Sequence, residues 1–403
     1  LRRGQNKSRF THNFTMPIQE GPAKQPIRRV SAGLMLCLLI LAMPATLIAV
    51  FLLLDAESWN GRLFAASCLV LYSGACGLYL WLGNGSRVCR RGALALSGLA
   101  LVGFAACYTF SPSGVTSGGS KLQSVFPPGG HYATWTPVGL VPEMDQTKLG
   151  ADLTPYADPL MTRAKAARMK ALFLTAYREM QQDPEFVAVG SVMGHAYADA
   201  FGFPFNDRHL FSYIPTHKPG QKLPVVLFLH GSCGNFKAYL WTWKRFADDH
   251  QIAIVAPTFG FGVWSKPGGM EAIDWAYSYC TNHSELDADR IVLVGLSNGG
   301  IGVSRAVCQN SGRFRGLVYI SGVMEGDVMA SPRFMQGCKG KPVLVIHGDQ
   351  DERIPLKYVE EPLRGLTATV AVKTKYYADE DHFLFLSRRA EVLEDVFNSM
   401  APW

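Results

Sequence analysis

The sequence predicts an α/β protein, a mainly parallel sheet covered by helices on both faces, preceded by three transmembrane helices. Three observations predict it. Residues 32–54, 63–82 and 92–110 are apolar runs without a charged side chain, each about the ~20 residues a helix needs to cross a bilayer. From residue 210 onward, short aliphatic and β-branched runs alternate with helix-compatible stretches, the pattern of a sheet with crossover helices. Between one such strand and helix stands Gly295-Leu296-Ser297-Asn298-Gly299, a G-x-S-x-G.

A chain of 403 residues is long for one domain, so two or more units are expected. Residues 1–30 are polar and basic, without apolar periodicity, and read as a disordered cytoplasmic tail. Three apolar runs in close succession, separated by short charged loops, are too many for a cleaved signal or a buried core helix. Residues 31–110 therefore form a three-helix membrane region, whose first helix Pro44 is expected to kink. The tail and the second loop (Arg87, Arg90, Arg91) are positive, while the first loop carries Asp55 and Glu57 beside Arg62. Positive segments stay inside, which puts everything after Phe110 on the extracytoplasmic side, the periplasm in a bacterium. Eleven Lys/Arg against three Asp/Glu lie in residues 1–110, so the remainder of this +7 chain carries −1. A basic excess confined to the membrane flanks leaves no patch for nucleic acid.

Residues 111–130 are rich in Ser, Gly and Pro, and 111–150 read as a linker to an outer domain at 151–403. Residues 161–182 have amphipathic helical spacing and are expected to pack on that domain. Strands are expected at 210–214, 224–229, 252–256, 291–294, 317–321, 343–346 and 369–377, with helices at 236–249, 269–282, 299–309 and 383–400. In such sheets the ligand crevice lies beyond the carboxyl ends of the strands, and the residues that carry chemistry here fall at those ends.

A serine on a sharp strand-to-helix turn sits in strained backbone, and its neighbours must be small where strand and helix nearly touch. Ser297 is the candidate nucleophile, with the Asn298 N–H at the helix start facing a developing negative oxygen. The strand at 224–229 runs into His230-Gly231-Ser232-Cys233-Gly234. A backbone N–H from this loop completes an oxyanion hole, assigned to Ser232 with Cys233 as runner-up; His230 reads as structural. The strand at 343–346 leads to Asp349, Asp351 and Glu352. Asp351 is taken as the acid that fixes an imidazole tautomer, with Asp349 second. The strand at 369–377 leads to His382, the candidate general base. The chain order Ser297, Asp351, His382 is the one this kind of elbow requires.

The H-G-S-C-G loop, the G-L-S-N-G-G elbow, the H-G-D-Q-D-E-R-I-P acid loop and D-H-F together resemble the α/β-hydrolase superfamily. Within it they most resemble polyhydroxybutyrate-depolymerase and feruloyl-esterase-like serine esterases, with G-x-S-x-G-G also similar to prolyl-oligopeptidase-type peptidases. The resemblance covers about residues 210–403. It implies a carboxylic-ester hydrolase working through an acyl-enzyme, acting on an ester small molecule or a lipid-like substrate beside the bilayer. A peptidase or acyltransferase with the same triad, or an inactive hydrolase-fold receptor or scaffold, remains open. Three membrane helices depart from the pattern of the secreted esterases.

No metal-binding H-E-x-x-H, paired C-x-x-C or phosphate-cradling G-x-x-x-x-G-K occurs, so neither metal nor cofactor is expected. Phe259 to Gly262 alternates ring and glycine after a strand. Pocket walls are expected from 130–205 and from 257–270, with Trp264 and Cys233 as candidate lining residues. Cys280, Cys308 and Cys338 lie in the outer domain, where disulfides are permitted and the pairing stays open.

Overall fold

A computed structural model of the chain describes residues 24–112, 114, 119–132, 136–203, 208–367 and 370–403. The tail expected at 1–30 lies outside the described residues as far as residue 23, and from Lys24 onward the chain is already helical, not disordered. Two compact units are present: the described residues up to Val50 with Ala66–Val102, and Phe51–Ala65 with Gly103–Trp403.

The first unit holds most of α1 (Lys24–Asp55), α2 (Trp59–Asn84) and α3 (Arg87–Phe110). All three helices are long and apolar enough to span a membrane. They leave Leu34, Leu41 and Leu101 more than 60% exposed, an outer surface that hydrocarbon, not water, would solvate. Small residues bring α2 and α3 together. A Cβ at Gly74 would stand 3.0 Å from Ser97 Oγ, and one at Gly77 would stand 3.4 Å from the Ala93 Cβ, which is how helices approach where lipid offers no hydrophobic drive. Tyr72 donates to the Leu39 carbonyl of α1 at 3.3 Å.

The second unit begins with β1 (Leu122–Val125) and five helices: α4 (Pro137–Leu140), α5 (Glu143–Ala157), α6 (Arg163–Met180), α7 (Pro184–Ala188) and α8 (Met193–Ala200). This corrects the linker expected at 111–150, of which 113, 115–118 and 133–135 lie outside the described residues. The Ser, Gly and Pro residues there punctuate short elements. Leu122 is fully buried, and the Glu185 carboxylate accepts the N–H groups of Lys121 and Leu122 at 3.3 and 3.1 Å. Thr136, Thr162 and Asp183 cap their helices through side-chain oxygens, with Pro137 and Pro184 at the first turn. The helix expected at 161–182 is α6.

The remaining elements are β2 (His209–Tyr213), β3 (Leu223–Leu229), α9 (Lys237–His250), β4 (Ala253–Thr258), α10 (Gly269–Asn282), β5 (Leu286–Leu296), α11 (Gly299–Asn310), β6 (Gly316–Ile320), α12 (Gly326–Met329), α13 (Pro332–Cys338), β7 (Val343–Gly348), α14 (Leu356–Leu366), β8 (Val372–Tyr377), α15 (Leu384–Ser387) and α16 (Arg389–Met400). The strand expected from 369 starts at Val372, residues 368 and 369 lying outside the described set. The expected last helix is broken at Arg388 into α15 and α16.

The sheet runs β1-β2-β4-β3-β5-β6-β7-β8. β2 is antiparallel to both its neighbours and the other pairs are parallel. Side chains alternate between two cores: Val292, Val294 and Leu296 of β5 enter one, Ile291 and Leu293 the other. That two-sided burial is why the central strands read as unbroken apolar runs.

The β5–α11 junction has no spare volume. A Cβ on Gly295 would lie 2.5 Å from the Gly299 carbonyl carbon, and one on Gly299 would lie 2.2 Å from the Leu229 carbonyl oxygen. Gly295→Ala should therefore lower stability by about 1–3 kcal/mol through overpacking; an unchanged urea midpoint for this variant would show that the junction yields.

Candidate active site

Strand β5 ends at Leu296, and Ser297 follows in the left-handed region at φ +52°, a conformation non-glycine residues adopt only when their surroundings impose it. Three hydrogen bonds impose it here. The Ser297 N–H donates to the Ile320 carbonyl at 3.0 Å, and the Ser297 carbonyl accepts the N–H groups of Gly300 at 3.0 Å and Val323 at 2.9 Å. Gly231 meets the elbow from the facing loop, where an added Cβ would stand 3.0 Å from the Ser297 Cβ.

Beyond β8, His382 reaches over the sheet rim. Its Nε2 lies 3.0 Å from Ser297 Oγ and its Nδ1 lies 2.7 Å from Asp351 Oδ2. With the Nδ1 proton turned to the carboxylate, Nε2 is left to accept from the serine hydroxyl. Asp351 is buried at 3% exposure, yet well supplied with donors, its Oδ1 accepting the N–H groups of Arg353 and Ile354, both at 2.9 Å. Burial alone would push its carboxyl up; the His382 hydrogen bond and charge, with the Ile354 amide, outweigh that and hold it below the usual carboxylate range. His347, whose Nε2 donates to the Ile354 carbonyl at 2.8 Å, packs 3.4 Å from Asp351 Oδ2. Burial pushes its pKa down, which favours the neutral imidazole.

The two rival acids are employed elsewhere. Asp349 accepts the Asp379 N–H at 2.9 Å, and Glu352 is paired with Lys165 at 2.5 Å. Glu380 and Asp381, sequence neighbours of His382, are both paired with Arg168 of α6.

Across from His382, the Asn298 side chain donates to Ser232 Oγ at 2.8 Å, tying the two loops that were assigned the oxyanion donors. The backbone N–H groups of Ser232 and Asn298 have no partner among the described residues. The Cys233 N–H, by contrast, is donated to the Phe261 carbonyl at 3.0 Å, which removes that runner-up. His230 is fully buried and holds the loop. Its Nε2 accepts the Phe259 N–H at 3.0 Å and its carbonyl accepts Trp264 Nε1 at 2.9 Å, while burial pushes its pKa down to about 4. It is structural, as expected.

A cavity of about 460 Å³ opens over Ser297. Cys233 lines it and Trp264 does not. The Trp264 ring is fully buried in the core on the far side of the loop, because its indole N–H is spent on the His230 carbonyl; Phe261 lines the cavity instead. Further walls come from α5, from Met161 just before α6, from Met169 and Phe173 of α6 and from Met193 and Tyr197 of α8, with Tyr239, Ile354 and Phe385 closing the sheet side. Sequence reading placed walls in 130–205 without naming these residues. The amphipathic spacing of α6 was legible, but not what its apolar face would meet. Cys280, Cys308 and Cys338 are all unpaired, and Cys308 Sγ lies 3.7 Å from Ser331 Oγ.

The fold is that of the α/β-hydrolases. No protein-family model matches the chain. It is 25% identical over 236 residues to the uncharacterized protein YfhR of Salmonella typhimurium, covering 50% of this chain and 80% of that one. Among solved structures, a thermostable esterase overlays 48% of this chain and 59% of its own at TM-score 0.41 and 19% identity. The acylaminoacyl peptidase of Pyrococcus horikoshii overlays 50% of this chain and 41% of its own at TM-score 0.41 and 16% identity. This chain thus spans less than two thirds of either structure, and at such scores neither carries its chemistry across.

Because the folded-state pKa of Asp351 is depressed, its stabilising contribution is complete above the unfolded value of about 3.9 and is lost as pH falls through the lower folded value. Asp351→Asn should accordingly lose less stability than the parent as pH falls below about 4, read by urea titration at each pH; parallel acid curves would contradict the assignment of those hydrogen bonds.

Proposed function

We propose that this chain is a membrane-anchored serine hydrolase that cleaves carboxylic esters through an acyl-enzyme intermediate. The observation that carries the reading is the unbroken relay from Ser297 Oγ to His382 Nε2 and from His382 Nδ1 to Asp351, assembled on a left-handed elbow beneath an open cavity.

In this reading Ser297 Oγ attacks the acyl carbon as His382 Nε2 takes its proton, and Asp351 stabilises the imidazolium that forms. The carbonyl oxygen becomes negative and accepts the N–H groups of Ser232 and Asn298. When the tetrahedral carbon collapses, the leaving alcohol takes the proton from His382. Water then repeats the sequence, giving its proton to His382 and releasing the acid and the serine.

The predominantly apolar walls support an ester with an apolar, lipid-like acyl or alcohol part. Three lining methionines favour a site that adapts to chains of several shapes. Helices α1 to α3 support anchoring in a bilayer. The basic flanks of α1 and α3 support a cytoplasmic N-terminus and an extracytoplasmic hydrolase.

Ser297→Ala should cut hydrolysis of p-nitrophenyl esters by roughly 10⁴-fold or more and abolish labelling by a fluorophosphonate probe; near-parental turnover would refute the assignment. Alkaline phosphatase fused after Trp403 should be active in a bacterial host, since that reporter works only outside the cytoplasm. An inactive, stably expressed fusion would reverse the topology.

A further inference from the structure

The segment joining α1 to α2 does not cluster with the apolar helices. Residues Phe51–Ala65 belong to the same unit as the sheet and the candidate site, and what holds them there is α5. Asp145 of α5 is 1% exposed, and its carboxylate accepts the N–H groups of Glu57 at 2.7 Å and Ser58 at 3.3 Å, together with the Ser58 hydroxyl. These donors stand immediately before α2, so Asp145 places a carboxylate at the positive end of that helix. Lys148, one turn further along α5, donates to the Asp55 carbonyl at 2.5 Å and pairs with Glu57 at 2.9 Å. Asp55 ends α1, so Lys148 places an ammonium at the negative end of that helix. The fit is close: a Cβ on Gly61 would lie 2.3 Å from Asp145 Oδ2. Asn60 adds a bond from its Nδ2 to the Leu140 carbonyl at 2.8 Å.

Asp145 and Lys148 occupy one face of α5. On an adjoining face Thr147, Gly150, Ala151 and Thr154, at helical spacing, line the cavity above Ser297. One rigid helix of 15 residues therefore has its position set by the inter-span hairpin and sets the position of a cavity wall. Lys170 of α6, paired with Asp152 at 2.5 Å, carries the constraint to the helix that supplies Met169 and Phe173.

We propose that the hairpin between the first two apolar helices is a positioning element of the substrate site, acting through Asp145 and Lys148 to fix the cavity wall that receives the acyl chain. This rests on the hydrolase reading above and makes membrane insertion a determinant of chain-length preference, beyond a tether. The triad and oxyanion loops do not touch α5 through these bonds, so an ester too short to reach that wall should not sense the hairpin.

The test uses full-length protein in detergent micelles, with p-nitrophenyl acetate and p-nitrophenyl octanoate as substrates and a small fluorophosphonate as an active-site titrant. Asp145→Ala and, from the hairpin side, Gly61→Ala should each raise KM for the octanoate about 5- to 10-fold. The octanoate kcat, all acetate parameters and the titrated site count should stay within about twofold. Asp145→Asn, which keeps an acceptor for the two amides, should restore most of the octanoate KM. Unchanged octanoate-to-acetate selectivity in both variants would overturn the proposal, and so would an equal loss on both esters, the mark of a merely structural contact. A parental protein that neither hydrolyses the esters nor takes the titrant would instead remove the hydrolase reading, and the role of the hairpin with it.

Discussion

The constraint on which the site depends is the absence of room between the end of β5 and the start of α11. Backbone atoms of Leu229, Gly299 and Val323 occupy the places where side chains of the flanking glycines would go. With the strand and the helix pressed together, the residue between them is forced into the left-handed region, and its side chain has one direction left, over the sheet rim. The same compression makes Asn298 the N-cap of α11, with its N–H unpaired among the described residues. The raised hydroxyl and the free amide beside it are thus two consequences of one steric fact.

Polar groups around that junction follow a second rule, that a buried charge persists only where donors surround it. Asp351 satisfies it with two backbone amides and an imidazole, and so remains an anion in spite of its burial. Two buried imidazoles beside the site have only backbone carbonyls as hydrogen-bond acceptors. His230 and His347 are held low by desolvation and serve as neutral struts under the Gly231–Cys233 loop and the Asp351 loop. Glu143 shows the rule again within the cap, where it accepts from Tyr177, Ser191 and the Lys237 N–H at 2.6 to 2.8 Å. That cluster joins α5, α6 and the start of α9 just behind the cavity.

The helical segment before β2 accordingly belongs to the second unit as fully as the sheet does. It caps the cavity, contributes Met161, Met169, Phe173 and Met193 to its apolar wall and holds the inter-span hairpin. Composition misled at this point. Ser, Gly and Pro between 111 and 130 looked like a tether, yet the short strand β1 between them adds an edge to the sheet because Leu122 finds a dry site and Glu185 supplies the acceptor its backbone needs.

Local chemistry was enough to determine the apolar spans, seven of the eight strands among the described residues, the elbow at Ser297 and the three loops that deliver Ser297, Asp351 and His382. Each of these depends on period, on glycine where no Cβ fits, or on chain order, all of which are written along the polymer. Tertiary structure decided the rest. Asp351 rather than Asp349 faces His382 because Asp349 is turned to the Asp379 amide, and Cys233 cannot donate because Phe261 takes its N–H. Trp264 faces the core because its indole proton is used behind the loop, while Phe261 takes the cavity side. The cap helices line the cavity and grip the hairpin through residues nearly 90 positions apart, Ser58 and Asp145. Which way an amphipathic face turns, and which carboxylate a buried donor meets, is settled by long-range packing, and no local pattern encodes it.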